Sequence, residues 1–191
     1  PMANDAGLDA LPKTPDIARV REALKAAGYA GERIVFPVPT DFPALNAMSE
    51  VSGDMMRRAG INLDYQALDW GTVLQKVASQ QPIDRGGWNL WCNYATGVSA
   101  ENPAAHTYLR GVGRTGTFGW PTSPELEQMR GDWFAAPDEA SRLDISKRMQ
   151  VQAFQDLPYI PLGVFYQPTA YRSSLTGMLK GFPLFYNVKR G

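Results

Sequence analysis

The chain is short of the residues that build common chemical centres. It has one cysteine and one histidine in 191 residues. A single Cys excludes an internal disulfide framework and says little about redox compartment. One His and one Cys cannot assemble a His- or Cys-rich zinc site. Charge of one sign is also missing. Nineteen Lys and Arg balance nineteen Asp and Glu. No single-sign field exists to hold a nucleic-acid backbone or an anionic membrane. No apolar run approaches the roughly 20 residues of a membrane span. The start, Pro1-Met2, is neither an initiator Met nor a signal peptide, so the chain reads as cropped or processed. No internal repeat and no low-complexity segment is found.

What is present is ordinary globular composition with extra punctuation. Hydrophobic residues make up 44% and aromatics 11%, with fifteen Pro and eighteen Gly. The length predicts roughly one domain, long enough to bury its own core without a staple.

The periodicities alternate between helix and strand. Residues 1–13 show no period and read as a leader. Thr14-Pro15 is an N-cap and first-turn signal for a helix with Ile17, Val20, Leu24 and Ala27 on one face, stopped by Gly28. Arg33 to Val38 reads as a strand, with Pro37 marking an edge or an end. Thr40-Asp41-Phe42-Pro43 reads as a turn capping a second helix. Its inner stripe is Leu45, Met48, Ser52, Met55, Met56 and Ala59, and Gly60 ends it. Ile61 to Ala67 alternates as a half-buried strand. Asp69 caps a third helix that faces Trp70, Val73, Leu74 and Val77 inward.

Trp88 to Tyr94 reads as the next strand. Asn102-Pro103 starts a short helix ending at Gly111, followed by a Gly-rich loop to Pro121. Ser123-Pro124 and Asp138 open two further helices, the second stopped by Leu157-Pro158. Tyr159 to Tyr166 reads as a last strand before a Pro- and Gly-punctuated tail with the aromatic run Phe182 to Tyr186. This order argues for an α/β fold: a mixed, mostly parallel sheet flanked by helices. Ligands of such sheets sit beyond the strand C-termini, here Pro39 to Phe42, Leu68 to Trp70 and Cys92 to Thr96.

Two segments are candidate binding elements. Trp91, Cys92, Asn93 and Tyr94 put aromatic and polar groups at a strand's end; the other reading packs Trp91 and Tyr94 into a central strand. The Gly113–Trp120 loop lets backbone approach a ligand while Phe118 and Trp120 stack on it; otherwise it is a connector whose aromatics pack down. It lacks the Lys-Ser/Thr of a phosphate loop. Asp41, Asp69 and Asp138 precede helices, and capping explains them without function. Glu101 is a free loop carboxylate or a solvated charge. Cys92 and His106 could form a nucleophile–base pair, but the default is a buried inert Cys and a His on a surface helix. The Met stripe reads as core filler, and Arg85, Arg110 and Arg114 as scattered solvated charges.

Seven pieces in order carry a family resemblance. They are Ala26 to Gly31, Thr40 to Met48, Asp69 to Val73, Gly86 to Asn89, Phe118 to Pro124, Tyr159 to Gly163 and Gln167 to Arg172. Together they resemble the extracytoplasmic solute-binding proteins of ABC importers, in the dipeptide/oligopeptide-binding family. The resemblance implies a type II periplasmic-binding-protein fold with two α/β lobes around a cleft. Family members are much longer, so it implies that this chain is the C-terminal lobe. Residues 1–13 would then follow a hinge crossing, 14–166 form the lobe core, and 167–191 return toward a missing N-terminal lobe.

It also implies a non-enzymatic, periplasmic protein without a cofactor. Its partners would be a peptide-like or other small solute and a membrane permease, and not nucleic acid. Trp91, Tyr94, Phe118 and Trp120 would be walls of the cleft, with Asn93 and Asp41 as polar contacts and Cys92 beside them. Peptide-binding relatives hold the peptide amine with an Asp in the loop after this strand. Here no Asp occurs between Asp84 and Asp132, which removes a charge-assisted hydrogen bond. Two rival readings are a small α/β enzyme using Cys92 and an interaction module using the aromatic tail.

Overall fold

The computed structural model describes residues 4–14, 16–181 and 184–191. It divides into two compact units, Pro1–Ile160 and Pro161–Gly191.

The first unit begins with a parallel pair. Strand β1 (Ile34–Pro39) lies beside β2 (Leu63–Leu68), with Ile34 opposite Leu63 and Pro39 opposite Leu68. Helix α2 (Pro43–Ala59) makes the crossover between them. Pro43 stands at its first turn, and Gly60, at φ 93°, closes it in the left-handed conformation that glycine adopts without strain. Arg57 and Arg58 sit in the last turn, where cations favour the helix dipole. Leu45, Ser49, Gly53 and Ala59 form its buried stripe. Met48 and Met56 pack with Phe36, Val38, Cys92, Leu63, Tyr65 and Leu90. Met55, expected to face inward, is exposed.

Helix α3 (Trp70–Val77) is capped by Asp69, whose carboxylate accepts the Thr72 amide at 3.0 Å. Val73 and Val77 are its buried residues, while Leu74 points outward. Helix α1 (Ile17–Ala26) is capped by Asp16 and not by Thr14, and it buries no residue. The expected Pro15 signal lies outside the described residues.

The expected third strand, Trp88 to Tyr94, does not form; backbone donors explain why. In β1, Ile34 and Thr40 donate to β2 through the carbonyls of Asn62 and Leu68. Alternation therefore turns the amides of residues 35, 37 and 39 to the opposite edge. Val35 donates there to the Asn89 side chain at 2.8 Å, and its carbonyl accepts from the amides of Asn89 and Leu90. Positions 37 and 39 are Pro37 and Pro39, which have no N–H to give. The segment docks at Asn89 and then leaves the ladder. Pro37 is thus interior to β1, paired with Gln66, rather than at its end.

Beyond Tyr94 the chain runs through short 3-10 turns at Gly97–Ala100, Thr107–Leu109 and Gly113–Thr115. These replace the helix expected from Asn102-Pro103; Asn102 instead accepts the amides of Ala104 and Ala105 in a local turn. A bridge between Val112 and Thr122 closes the Gly-rich loop at its base.

Helices α4 (Pro124–Ala135) and α5 (Glu139–Asp156) start as the caps predict. Ser123 accepts the Leu126 amide and Asp138 accepts the Ser141 amide. They pack around Leu126, Ile145 and Met149, with Leu109, Ala136, Met129, Trp133, Ala153 and Tyr159. The leader is tied to α5: Gln150 donates to the carbonyls of Asn4 and Ala6.

The second unit holds a two-residue antiparallel pair, β3 (Leu175–Thr176) with β4 (Lys189–Arg190). Leu162, Val164, Tyr166, Phe185 and Tyr186 are exposed. The strand expected over Tyr159 to Tyr166 does not form. Phe182 and Pro183 of the expected aromatic run lie outside the described residues.

Candidate functional site: an aromatic wall at the end of the parallel strands

Three chain segments meet beyond the C-termini of β1 and β2. Thr40 to Phe42 leaves β1, Asp69 and Trp70 leave β2, and Trp88 to Tyr94 runs alongside. Asp41 ties the first two together. Its carboxylate accepts the Trp70 amide at 2.8 Å, and the Thr40 hydroxyl donates to the Leu68 carbonyl at 3.1 Å. The cap expected of Asp41 on α2 is therefore placed on α3 instead. Residue 42, at the α2 N-terminus, provides no side-chain cap, and its ring packs against Trp70 and Tyr94.

Seven aromatic rings then connect in one run. Tyr94 meets Phe42 at 5.9 Å, Phe42 meets Trp70 at 5.5 Å, and Trp70 stacks on Trp91 at 6.3 Å. Trp91 touches Phe118 at 6.1 Å and Trp88 at 6.5 Å, and Trp88 meets Trp120 at 6.0 Å. The geometries are tilted, edge-on and offset, the arrangements that aromatic quadrupoles favour. Tyr94 and Phe118 are 37% and 39% exposed; the indoles of the run are half-buried. This is a partly wet wall, unlike a closed core.

Local chemistry sets the wall. Gly87 precedes Trp88 because a Cβ there would fall on the Gln81 carbonyl oxygen. The Trp88 indole N–H donates to the Val77 carbonyl at 3.1 Å, which fixes the ring. Trp120 has φ 48°, a left-handed backbone that a bulky residue rarely adopts. Such strain persists only where surrounding structure imposes it. Here Trp120 follows Gly119 beside the closed base of the loop and is turned onto Trp88.

The sequence-predicted residues divide. Trp91, Tyr94, Phe118 and Trp120 come together in the wall, and Asp41 lies beneath it. Cys92 does not join them. It is buried with Phe36 and Val38, its Sγ 3.8 Å from the Ser52 hydroxyl. Asn93 donates to the Tyr108 hydroxyl at 2.7 Å, which anchors the segment to a second aromatic group. Phe42 and Trp70 lie in the strand-end segments where ligands were expected, but were not singled out as wall residues. Trp88 was read only as the first residue of a strand.

The second group is His106, Tyr108 and Tyr159. His106 was expected on a surface helix, but it is 1% exposed. Its Nε2 lies 3.1 Å from the Tyr159 hydroxyl, and its Nδ1 has no hydrogen-bond partner. Burial pushes its pKa down to about 4, so the ring is neutral. Burial also raises the pKa of both tyrosines. Arg110, expected to be a solvated charge, is paired with Glu127 at 2.9 Å; the same carboxylate takes the Gly111 amide. No cluster of His, Cys, Asp or Glu suited to a metal occurs among the described residues.

Comparison with known proteins fits this geometry. No family model matches the chain. A Sinorhizobium fredii protein named "probable peptide ABC transporter periplasmic-binding protein" is 27% identical over 190 residues. That alignment takes in 99% of this chain and 36% of the relative, so the chain spans about a third of the protein it matches.

Solved structures show the fold. The mannohexaose-bound periplasmic oligopeptide-binding protein of Thermotoga maritima has TM-score 0.59 at 18% identity, over 81% of this chain and 32% of that one. The periplasmic binding protein MelB of Agrobacterium fabrum, in complex with stachyose, has TM-score 0.56 at 16% identity, over 75% and 25%. The α/β expectation holds, with two parallel strands where four were expected in the first 166 residues. Among the described residues, no helix is long and apolar enough to cross a membrane.

Proposed function

We propose that this chain is the C-terminal lobe of an extracytoplasmic solute-binding protein and supplies one wall of its ligand cleft. The observation that carries this reading is the run of seven rings at the strand ends, partly exposed and held by Asp41. An α/β sheet binds ligands at that end. A partly solvated aromatic face with few polar groups is the make-up of a binding surface.

The mechanism is hinge closure. Solute bridging this wall and an opposing lobe adds contacts in the closed form only, so it shifts the population toward closure. A permease then distinguishes closed from open. Residues 1–13 and 167–191 are the stretches that lead toward the missing lobe. The solute leaves unchanged. Cys92 is too enclosed among Phe36 and Val38 to serve as a nucleophile on it.

The test is to express the chain together with the coding sequence upstream of Pro1 and to identify by mass spectrometry the solute that co-purifies. The expected result is a non-covalent small molecule, lost on Trp91→Ala and retained on Cys92→Ser. A chemical turnover abolished by Cys92→Ser would overturn the reading.

A further inference from the structure

The wall's chemistry narrows the solute, given that the wall binds one. The segments that build it, 39–42, 68–70, 88–94 and 118–120, contain two charged residues, Asp41 and Asp69. Both are engaged with the start of α3. Asp41 accepts the Trp70 amide, and Asp69 accepts the Thr72 amide and hydroxyl. These segments therefore carry no cation for a carboxylate, and each of their two carboxylates already holds the start of α3. The carboxylate end of a zwitterionic peptide would surrender its hydration here without replacement.

The wall does offer ring faces and edges in series, 5.5–6.5 Å apart and about one hexose unit from each other. Among the described residues, the indole N–H groups of Trp70, Trp91 and Trp120 have no protein acceptor. Each is a donor for a hydroxyl oxygen.

We infer that this wall takes a neutral, extended, polyhydroxylated ligand, an oligosaccharide, whose C–H faces lie on Trp91, Phe118 and Trp120. Ring hydroxyls receive the indole donors, and no charge need be neutralised. The inference rests on the binding reading above and can fail separately from it.

The experiment is saturation-transfer NMR on the 191-residue chain, a method suited to the weak affinity of half a cleft. The probes are cellohexaose, mannohexaose, trialanine and choline. The expected result is transfer to at least one hexaose, with trialanine and choline at least fivefold weaker. Phe118→Ala and Trp120→Ala lower the hexaose signal at least fivefold, with circular dichroism confirming the fold. Phe134→Ala, an exposed ring on α4, leaves it unchanged. Stronger transfer to trialanine or choline, lost in Phe118→Ala, overturns the oligosaccharide assignment and keeps the wall as a binding site. No transfer to any probe, or transfer indifferent to Phe118 and Trp120, overturns the wall itself.

Discussion

The molecule contains two aromatic clusters of opposite character. The Trp wall at the strand ends is half-exposed, held by ring-on-ring contacts and by a few bonds beneath it. The His106–Tyr108–Tyr159 group lies within 6.3 Å ring to ring, beside the Leu126–Met149 core, with polar tips bonded to one another or to Asn93. The second group centres on His106, 1% exposed, whereas the wall ends in Tyr94 and Phe118, 37% and 39% exposed. Aromatic content alone thus says little about function; what the rings' outer faces and polar tips touch decides it.

That contrast can be broken by substitution, and the largest effect is expected in the core. Met149→Ala removes a side chain 1% exposed. It is expected to lower unfolding free energy in urea by about 3–4 kcal/mol. An equal loss from Phe118→Ala would erase the distinction between core and wall.

The pH response comes next. His106 has its pKa lowered from 6.5 to about 4 by burial. Between those values the unfolded chain binds a proton that the folded chain refuses, so stability is full above pH 6.5 and falls as pH drops toward 4. The loss is up to about 3 kcal/mol, at 1.36 kcal/mol per pH unit. Urea midpoints from pH 7.5 to 4 should flatten in His106→Gln relative to the parent. An unchanged profile would place the acid sensitivity elsewhere.

Tyr159→Phe removes the hydroxyl facing Nε2 and leaves a buried ring nitrogen unbonded. The expected cost is about 1–2 kcal/mol by the same measurement. Phe118→Ala should cost about 1 kcal/mol or less, since its ring is 39% exposed, while abolishing the ligand response. Smallest of all is Asp64→Asn. It breaks the exposed ion pair with Arg33 at 3.3 Å and should shift stability by less than about 1 kcal/mol.

Local signals were legible in the residue order. Asp69, Ser123-Pro124, Asp138 and Gly60 act at helix ends where their chemistry says they should, because a cap needs partners within three or four residues. The Trp88 strand was not legible, since its failure depends on which edge of β1 carries Pro37 and Pro39. That parity is set by pairing with β2, a non-local fact. His106 was misplaced for a similar reason. Nothing near it in sequence announces that α4, α5 and Tyr159 will bury it. In the site, Trp91 and Tyr94 were visible as aromatics at an expected strand's end, and Phe118 and Trp120 as aromatics in a Gly-rich loop. Phe42 and Trp70 fell in the expected strand-end segments, but a turn and a helical stripe already accounted for their rings.

The paired prolines of β1 carry one more consequence. An edge strand with regular N–H and C=O groups is a template on which another chain can add a strand and aggregate. On its outer edge β1 presents a backbone donor at Val35, already bonded to Asn89, and none at Pro37 or Pro39. The same two rings that keep the Trp-bearing segment out of the ladder also deny this edge of the sheet the donors with which a neighbouring strand would pair.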